Sequence, residues 1–214
     1  MITSASSVIC VSCESSFISS ARAEISSSPC SSLLNCLNRP SFSSNSKSCC
    51  SPRVDTKGSG DLVSRLGVRR PADLLVPPDM DLVEAVRAAS SEGRPLACVL
   101  CDESQFLTAE QAEQLFMVTV ELNIPVICYG LRSDFSLKGF PGSTRLLELA
   151  HTIEEMKTIC TCGRKATCNC RKVNGRFVFE GEQVAIDLEN DVQYVSMCPQ
   201  CYFRERSAFY AARR

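Results

Sequence analysis

From residue 97 onward the apolar positions fall into short blocks with two different spacings. Ala97-Cys98-Val99-Leu100-Cys101 is an uninterrupted apolar run, the pattern of a parallel strand buried on both faces. It leads straight into Asp102 and Glu103. Thr108-Ala109-Glu110-Gln111 follows and reads as a capping box, in which Thr108 accepts from the Gln111 amide while Gln111 reaches back. Ala112, Leu115, Phe116, Val118 and Leu122 then mark a buried helical face. Asn123-Ile124-Pro125 ends that helix, and Val126-Ile127-Cys128-Tyr129-Gly130 supplies a second apolar run. Strand, helix and strand in so short a span form a βαβ unit, whose strands should be parallel neighbours with a right-handed crossover.

The flanks extend this alternation. Val63–Gly67 and Asp73–Val76 are short strand-like pieces. Asp81–Ala89 is an amphipathic helix with Leu82, Val83, Val86 and Ala89 on one face, stopped by Gly93-Arg94-Pro95. A further helix is expected over Ser143–Met156, with Leu146, Leu147, Ala150 and Ile153 facing inward. His151, the only histidine, lies on it and has no partner nearby in sequence, so it reads as structural or solvent-facing. Further on, Val173-Asn174-Gly175-Arg176 is a strong hairpin signal followed by Phe177-Val178-Phe179. Val184-Ala185-Ile186 and Gln193-Tyr194-Val195-Ser196 supply two more strands.

Composition separates the first quarter from this pattern. Residues 1–53 hold 19 serines, six cysteines, four basic residues and two acidic ones. Their apolar residues follow neither a helical nor a strand period, so burial there would not offset ordering entropy, and disorder is expected. The stretch lacks the long apolar core of a secretory signal. A Ser-rich, acid-poor leader is compatible with a plastid or mitochondrial transit peptide, and equally with a misassembled gene start. Cys10-Val11-Ser12-Cys13 has metal-ligand spacing but no second pair in similar context, and reads as incidental.

Charge adds mainly exclusions. The formal net charge is −1, which gives no bulk electrostatic case for nucleic acid or acidic lipid. No apolar run approaches the roughly 18 residues that span a membrane. The 15 cysteines accompany 22% charged residues and long periodic segments, unlike a small disulfide scaffold. Clustered pairs in an α/β-looking chain point to metal in a reducing compartment, so the cytoplasm is expected unless residues 1–53 are a transit peptide.

Two constellations carry chemistry. Ligands of open α/β sheets gather at the carboxyl ends of strands, where Asp102 and Glu103 emerge. In nucleoside-triphosphate enzymes an Asp here commonly holds Mg²⁺ and a neighbouring Glu can act as base; a strand ending in solvated acids gives the same string. Cys160-Thr161-Cys162 and Cys198-Pro199-Gln200-Cys201 offer four thiolates suited to a structural, tetrahedral Zn²⁺. Cys168-Asn169-Cys170 is a competing pair that spacing leaves open. Arg53-Val54-Asp55-Thr56-Lys57-Gly58-Ser59-Gly60 is a polar turn and not a Walker phosphate loop, because the sequence contains no Gly-Lys dipeptide.

Taken together, five motifs make the chain resemble the type II thymidine kinases, especially their bacterial branch, from about Asp55 to Tyr202. They are Val99–Leu107, Ile124–Phe135, Ile159–Ala166, Glu180–Val184 and Tyr194–Cys198. The resemblance implies an α/β fold: a RecA-like P-loop kinase core with a parallel sheet, its N-terminal strand and P-loop missing here. A small zinc-binding β domain carrying a lasso loop would complete it. The implied organisation is a leader over 1–53, a truncated core over 54–157 and a zinc and lasso domain over 158–214. The implied reaction is transfer of the ATP γ-phosphate to the 5′-hydroxyl of thymidine, with Mg²⁺ accompanying ATP, a structural Zn²⁺ and a homotetrameric assembly.

Residue by residue, Glu103 matches the family's general base, and Asp102 with Gln105 its magnesium and ATP side. Phe106 and Phe135 match aromatics that enclose the thymine, and Tyr194 a residue near the deoxyribose. Cys160, Cys162, Cys198 and Cys201 match the structural zinc ligands. Asp55-Thr56-Lys57 looks like the family's Asp-Thr/Asp-Arg turn. Two departures stand out. The Ser-rich stretch replaces the Gly-rich phosphate loop, which implies weak turnover or a catalytically inactive zinc-binding partner of an intact thymidine kinase. Ile186-Asp187-Leu188-Glu189-Asn190-Asp191 replaces a shorter Ile-Gly-Gly turn in the lasso. A generic RecA-like ATPase fragment is the remaining reading, and the lasso and zinc motifs argue against it.

Overall fold

The computed structural model describes residues 2–3, 6–11, 47–52, 61–63, 69–91, 96–183 and 191–213. The chain divides into two compact units. One contains residues 7–130 and 141–156, and the other contains 1–6, 131–140 and 157–214. Among the described residues, no helix is long and apolar enough to cross a membrane.

The first unit is built on a six-stranded sheet. Its strands are β2 (Ser6–Val11), β3 (Lys47–Pro52), β6 (Leu74–Val76), β7 (Cys98–Cys101), β8 (Val126–Leu131) and β9 (Thr152–Glu155), in the order β6-β3-β7-β8-β2-β9. The pairs β3–β6, β3–β7 and β7–β8 are parallel, and β2–β9 is antiparallel. A separate hairpin joins β4 (Asp61–Val63) to β5 (Arg69–Pro71). All four residues of β7 are buried, as expected for a strand covered on both faces. Register sets Cys50 beside Cys101 and Cys101 beside Cys128 across three strands. Hydrogen bonding between neighbouring thiols, followed by burial, pushes Cys50 and Cys101 well above the usual thiol range, so they pack as small apolar groups.

Among the described residues three helices belong to this unit: α1 (Leu82–Ser91), α2 (Ala109–Glu121) and α3 (Pro141–Leu149). Asp81 caps α1 by accepting from the Val83 and Glu84 amides at 2.9 and 3.1 Å. The Thr108–Gln111 capping box at α2 is present in both directions. Ala112, Leu115, Val118, Leu82, Val86 and Leu146 enter one core with Val99 and Val126. Gln111 ties α2 to the segment before α1 by donating to the Pro77 carbonyl at 2.8 Å. The parallel β7–α2–β8 unit is the one the apolar spacing implies.

Two details differ from expectation. β2 and β3 come from the stretch expected to be disordered; the rest of residues 12–46 lies outside the described residues. A Ser-rich strand needs no apolar period when both its edges are hydrogen-bonded, and β3 is flanked by β6 and β7. Next, the helix expected over 143–156 starts at Pro141, a favourable first-turn residue, and stops at Leu149. The β-branched Thr152-Ile153 pair then forms β9, where Ile153 is exposed rather than inward. His151 is exposed and stacks on Phe116 with ring centroids 5.8 Å apart. Residues 131–140 group with 157–214 in the second compact unit.

The second unit holds a four-stranded sheet in the order β1-β12-β10-β11, from Ile2–Thr3, Val192–Met197, Cys168–Val173 and Arg176–Val178. Asn174 and Gly175 both take positive φ, 50° and 77°, the requirement of a type I′ turn joining β10 to β11. Helix α4 (Pro199–Ala211) ends the unit. Its core gathers Phe179, Tyr202, Met197 and Ala166 with five cysteines. The strand expected at Val184–Ile186 lies outside the described residues.

Candidate functional site

The turn after β7 is unusually constrained. Glu103 sits in the left-handed region, φ 48° and ψ 36°, and opens a 3₁₀ turn over Ser104–Phe106. For an L-residue this conformation costs roughly 1–2 kcal/mol. Several contacts hold it. The Asp102 amide donates to the Cys50 carbonyl at 3.1 Å, and the Glu103 amide to Asp102 Oδ1 at 3.0 Å. Gln105 Nε2 donates to Glu103 Oε2 at 2.6 Å, and Ser104 Oγ to the Tyr129 carbonyl at 3.0 Å. Ser104 and Gln105 are buried, whereas Asp102, Glu103 and Phe106 are half-buried.

Two glycines let the neighbours close on this turn. A Cβ at Gly130 would stand 2.6 Å from Ser104 Oγ and 2.8 Å from Gln105 Oε1. One at Gly142 would stand 2.4 Å from the Leu107 carbonyl oxygen. The end of β8 and the start of α3 therefore approach the turn as only glycine allows. The result is a carboxylate held by a buried amide donor beside a second carboxylate.

In the other unit, the loop 131–140 carries Phe135, which is only 1% exposed. Asp134 organises the loop: its Oδ1 accepts from Ser136 N, Ser136 Oγ and Lys138 N, each at 2.8 Å. Tyr202 donates its hydroxyl to the Phe135 carbonyl at 2.8 Å, and Asn169 Nδ2 donates to the Ser133 carbonyl at 3.1 Å. Burial pushes the Tyr202 phenol up to about 12, so it remains a donor throughout the neutral range. Tyr194 is half-buried on β12, opposite Arg171 in register.

The same unit holds a four-sulfur cluster. Cys160, Cys162, Cys198 and Cys201 place their Sγ atoms all within 4.8 Å of one another. A zinc tetrahedron with Zn–S near 2.3 Å has edges of about 3.8 Å, and Cys162 and Cys198 stand 3.5 Å apart. The first pair sits on a tight turn in which the Gly163 amide, at φ 85°, donates to the Cys160 carbonyl at 2.8 Å. The second pair occupies the start of α4, with Cys198 at its cap and Pro199 in its first turn. Backbone amides of Cys162 and Cys198 draw the Cys160 thiol down to about 6, toward the thiolate a metal needs. Cys168 and Cys170 lie on β10 outside this group, and burial raises both, Cys170 to about 12. Among the described residues, the four whose sulfurs lie close enough together to hold a metal ion are Cys160, Cys162, Cys198 and Cys201.

These features meet known proteins at one point. A family model described as thymidine kinase matches residues 16–202. The chain belongs to the thymidine kinase family. Its relatives include the thymidine kinase of Ruegeria pomeroyi, 46% identical over 142 residues that cover 66% of this chain and 70% of that protein. The Chromobacterium violaceum thymidine kinase is 42% identical over 152 residues, covering 71% and 78%. That of Salmonella typhimurium is 46% identical over 149 residues, covering 69% and 71%. The family match begins inside the Ser-rich stretch, consistent with the strand that β3 contributes to the sheet.

Within this thymidine kinase fold the expected site residues divide. Asp102, Glu103, Gln105 and Phe106 share one turn of the first unit; Phe135, Tyr194 and the four cysteines belong to the second. Gln105, expected on the magnesium and ATP side with Asp102, donates its side-chain amide to the Glu103 carboxylate. Sequence reasoning missed Asn169, Arg171 and Tyr202, which hold the Phe135 loop or ring. Tyr202 follows Cys201 directly, and that adjacency was the one signal available.

Proposed function

We propose that this chain acts as a thymidine kinase, binding thymidine and transferring the γ-phosphoryl group of ATP to its 5′-hydroxyl. The observation that carries this reading is Glu103: a strained carboxylate at the end of a buried strand, pinned by Gln105, in a chain of the thymidine kinase family. A positioned carboxylate can accept a hydroxyl proton, a contribution of roughly 10²–10⁴ in rate. In the proposed step Glu103 takes the 5′-hydroxyl proton. The oxygen bonds to the γ-phosphorus, and the bond from that phosphorus to the β,γ-bridging oxygen breaks to leave ADP.

Asp102, a hard carboxylate beside that base, suits Mg²⁺, which when bound with ATP offsets charge on the phosphate oxygens. Phe106, Phe135 and Tyr194 are assigned to thymidine. The four-cysteine group is assigned to one structural Zn²⁺, whose donor set and spacing it fits. A homotetramer and a cytoplasmic, reducing location complete the proposal; ten of the described cysteines, from Cys50 to Cys201, are free thiols.

The sequence has no Gly-Lys dipeptide, so the lysine-bearing loop that cradles phosphates in P-loop enzymes has no counterpart in these 214 residues. This observation favours a second reading, an inactive zinc-binding partner of an intact thymidine kinase. A single-turnover assay with γ-labelled ATP and thymidine separates the two. The first reading expects dTMP at a rate below the roughly 1–100 s⁻¹ of ordinary kinases, falling at least about 100-fold in Glu103→Gln. No label in dTMP from the folded chain would overturn it in favour of the second.

A further inference from the structure

Arg171 is the least explained polar residue of the second unit. It lies on β10, is 4% exposed, and its Nε is buried with no hydrogen-bond partner among the described residues. Its guanidinium carbon stands 3.7 Å from the centroid of the Phe135 ring. One terminal nitrogen donates to the Glu182 carbonyl and the other to the Glu180 carbonyl, both at 2.9 Å. Among the described residues no carboxylate pairs with it. A buried guanidinium without a counter-ion is costly, and packing alone would be served better by an apolar side chain.

The surroundings are shaped for this group. Gly181, between the two accepting residues, has φ 114°, and a Cβ there would stand 2.7 Å from an Arg171 terminal nitrogen. The planar fork therefore spans two carbonyls on one side of a glycine while its face lies on an aromatic ring. Lysine has neither the fork nor the plane, so it would keep the charge and lose the geometry.

We propose that Arg171 is the positioning residue for the aromatic end of the thymidine site, fixing the Phe135 ring and the Glu180 and Glu182 carbonyls with one guanidinium. It sets thymidine affinity through these groups and does not touch the nucleoside. The proposal rests on the assignment of Phe135 to thymidine binding.

The test uses the full zinc-loaded chain and the variants Arg171→Met, Arg171→Lys and Gly181→Ala. Three quantities are measured: thymidine affinity by equilibrium dialysis, zinc content, and hydrogen exchange of peptides covering 131–140 and 177–183. Arg171→Met should bind thymidine at least about tenfold more weakly, the size of one lost charged hydrogen bond, with zinc retained and exchange accelerated in both peptides. Arg171→Lys should recover part of that affinity, and Gly181→Ala should resemble Arg171→Met by displacing the guanidinium.

Unchanged thymidine affinity in Arg171→Met, or unchanged exchange in both peptides, would overturn the proposal. If Arg171→Met loses zinc, Arg171→Lys and Gly181→Ala decide, and wild-type affinity in both would overturn it. If the wild-type chain binds no thymidine, the functional assignment fails. The exchange measurement then still shows whether Arg171 positions the loop.

Discussion

At the scale of single residues, burial sorts the thiols of the second unit into two chemical kinds. Cys162 is exposed, whereas Cys168 and Cys170 are buried on β10 with raised proton affinity. In zinc-loaded protein at pH 8, alkylation mapped by mass spectrometry should leave Cys168 and Cys170 unmodified until the chain unfolds. Early labelling of Cys170 would contradict this placement. The sign of the linkage follows from the same shift. Cys170 keeps its proton up to about 12 when folded, against an ordinary thiol near 9. The stability it contributes is complete below pH 9 and is lost as pH rises from there toward 12. The strand that ends at Asp102 and Glu103 was legible because an uninterrupted apolar run fits burial on both faces, and all four residues of β7 are buried. Arg171 was not, since a charged residue in a strand ordinarily marks the solvent face, and only the three-dimensional neighbours show it to be buried.

Among the elements, α2 and the turn before it offer the cleanest tests. The Thr108 hydroxyl accepts from the Gln111 amide at 3.1 Å, and the Gln111 side chain accepts from the Thr108 amide at 3.2 Å. Thr108→Ala should lower unfolding stability by about 1 kcal/mol. Gly142→Ala should cost more, about 1–3 kcal/mol, because the added methyl meets a carbonyl oxygen of the backbone rather than a movable side chain. Urea denaturation followed by circular dichroism measures both, and a larger loss at Thr108 than at Gly142 would contradict the packing described. The capping box was readable because its four residues are contiguous. The shortening of α3 was not, because a helical apolar period through Leu146, Leu147, Ala150 and Ile153 masks the strand that Thr152-Ile153 forms against β2. Nor was β3, whose place depends on the distant edges of β6 and β7.

Across the whole molecule, the four-sulfur group belongs to a unit whose described sheet is small and whose core is rich in cysteine. With Zn²⁺ bound as proposed, such a unit would depend on the metal for cohesion. Chelation should remove one zinc per chain, collapse the protection of residues 157–183 and 191–213 in hydrogen exchange, and carry the 131–140 loop with them. Retained protection after zinc removal would show that the apolar core suffices. The loop falls with that unit because Tyr202 and Asn169 bind its carbonyls.

The proposed function requires that the chain recognise thymidine. Equilibrium dialysis of labelled thymidine against the zinc-loaded, folded 214-residue chain tests it directly, without requiring phosphoryl transfer. Saturable binding of one thymidine per chain, weakened in Phe135→Ala, is the predicted result; no saturable binding by folded, zinc-loaded protein would contradict it.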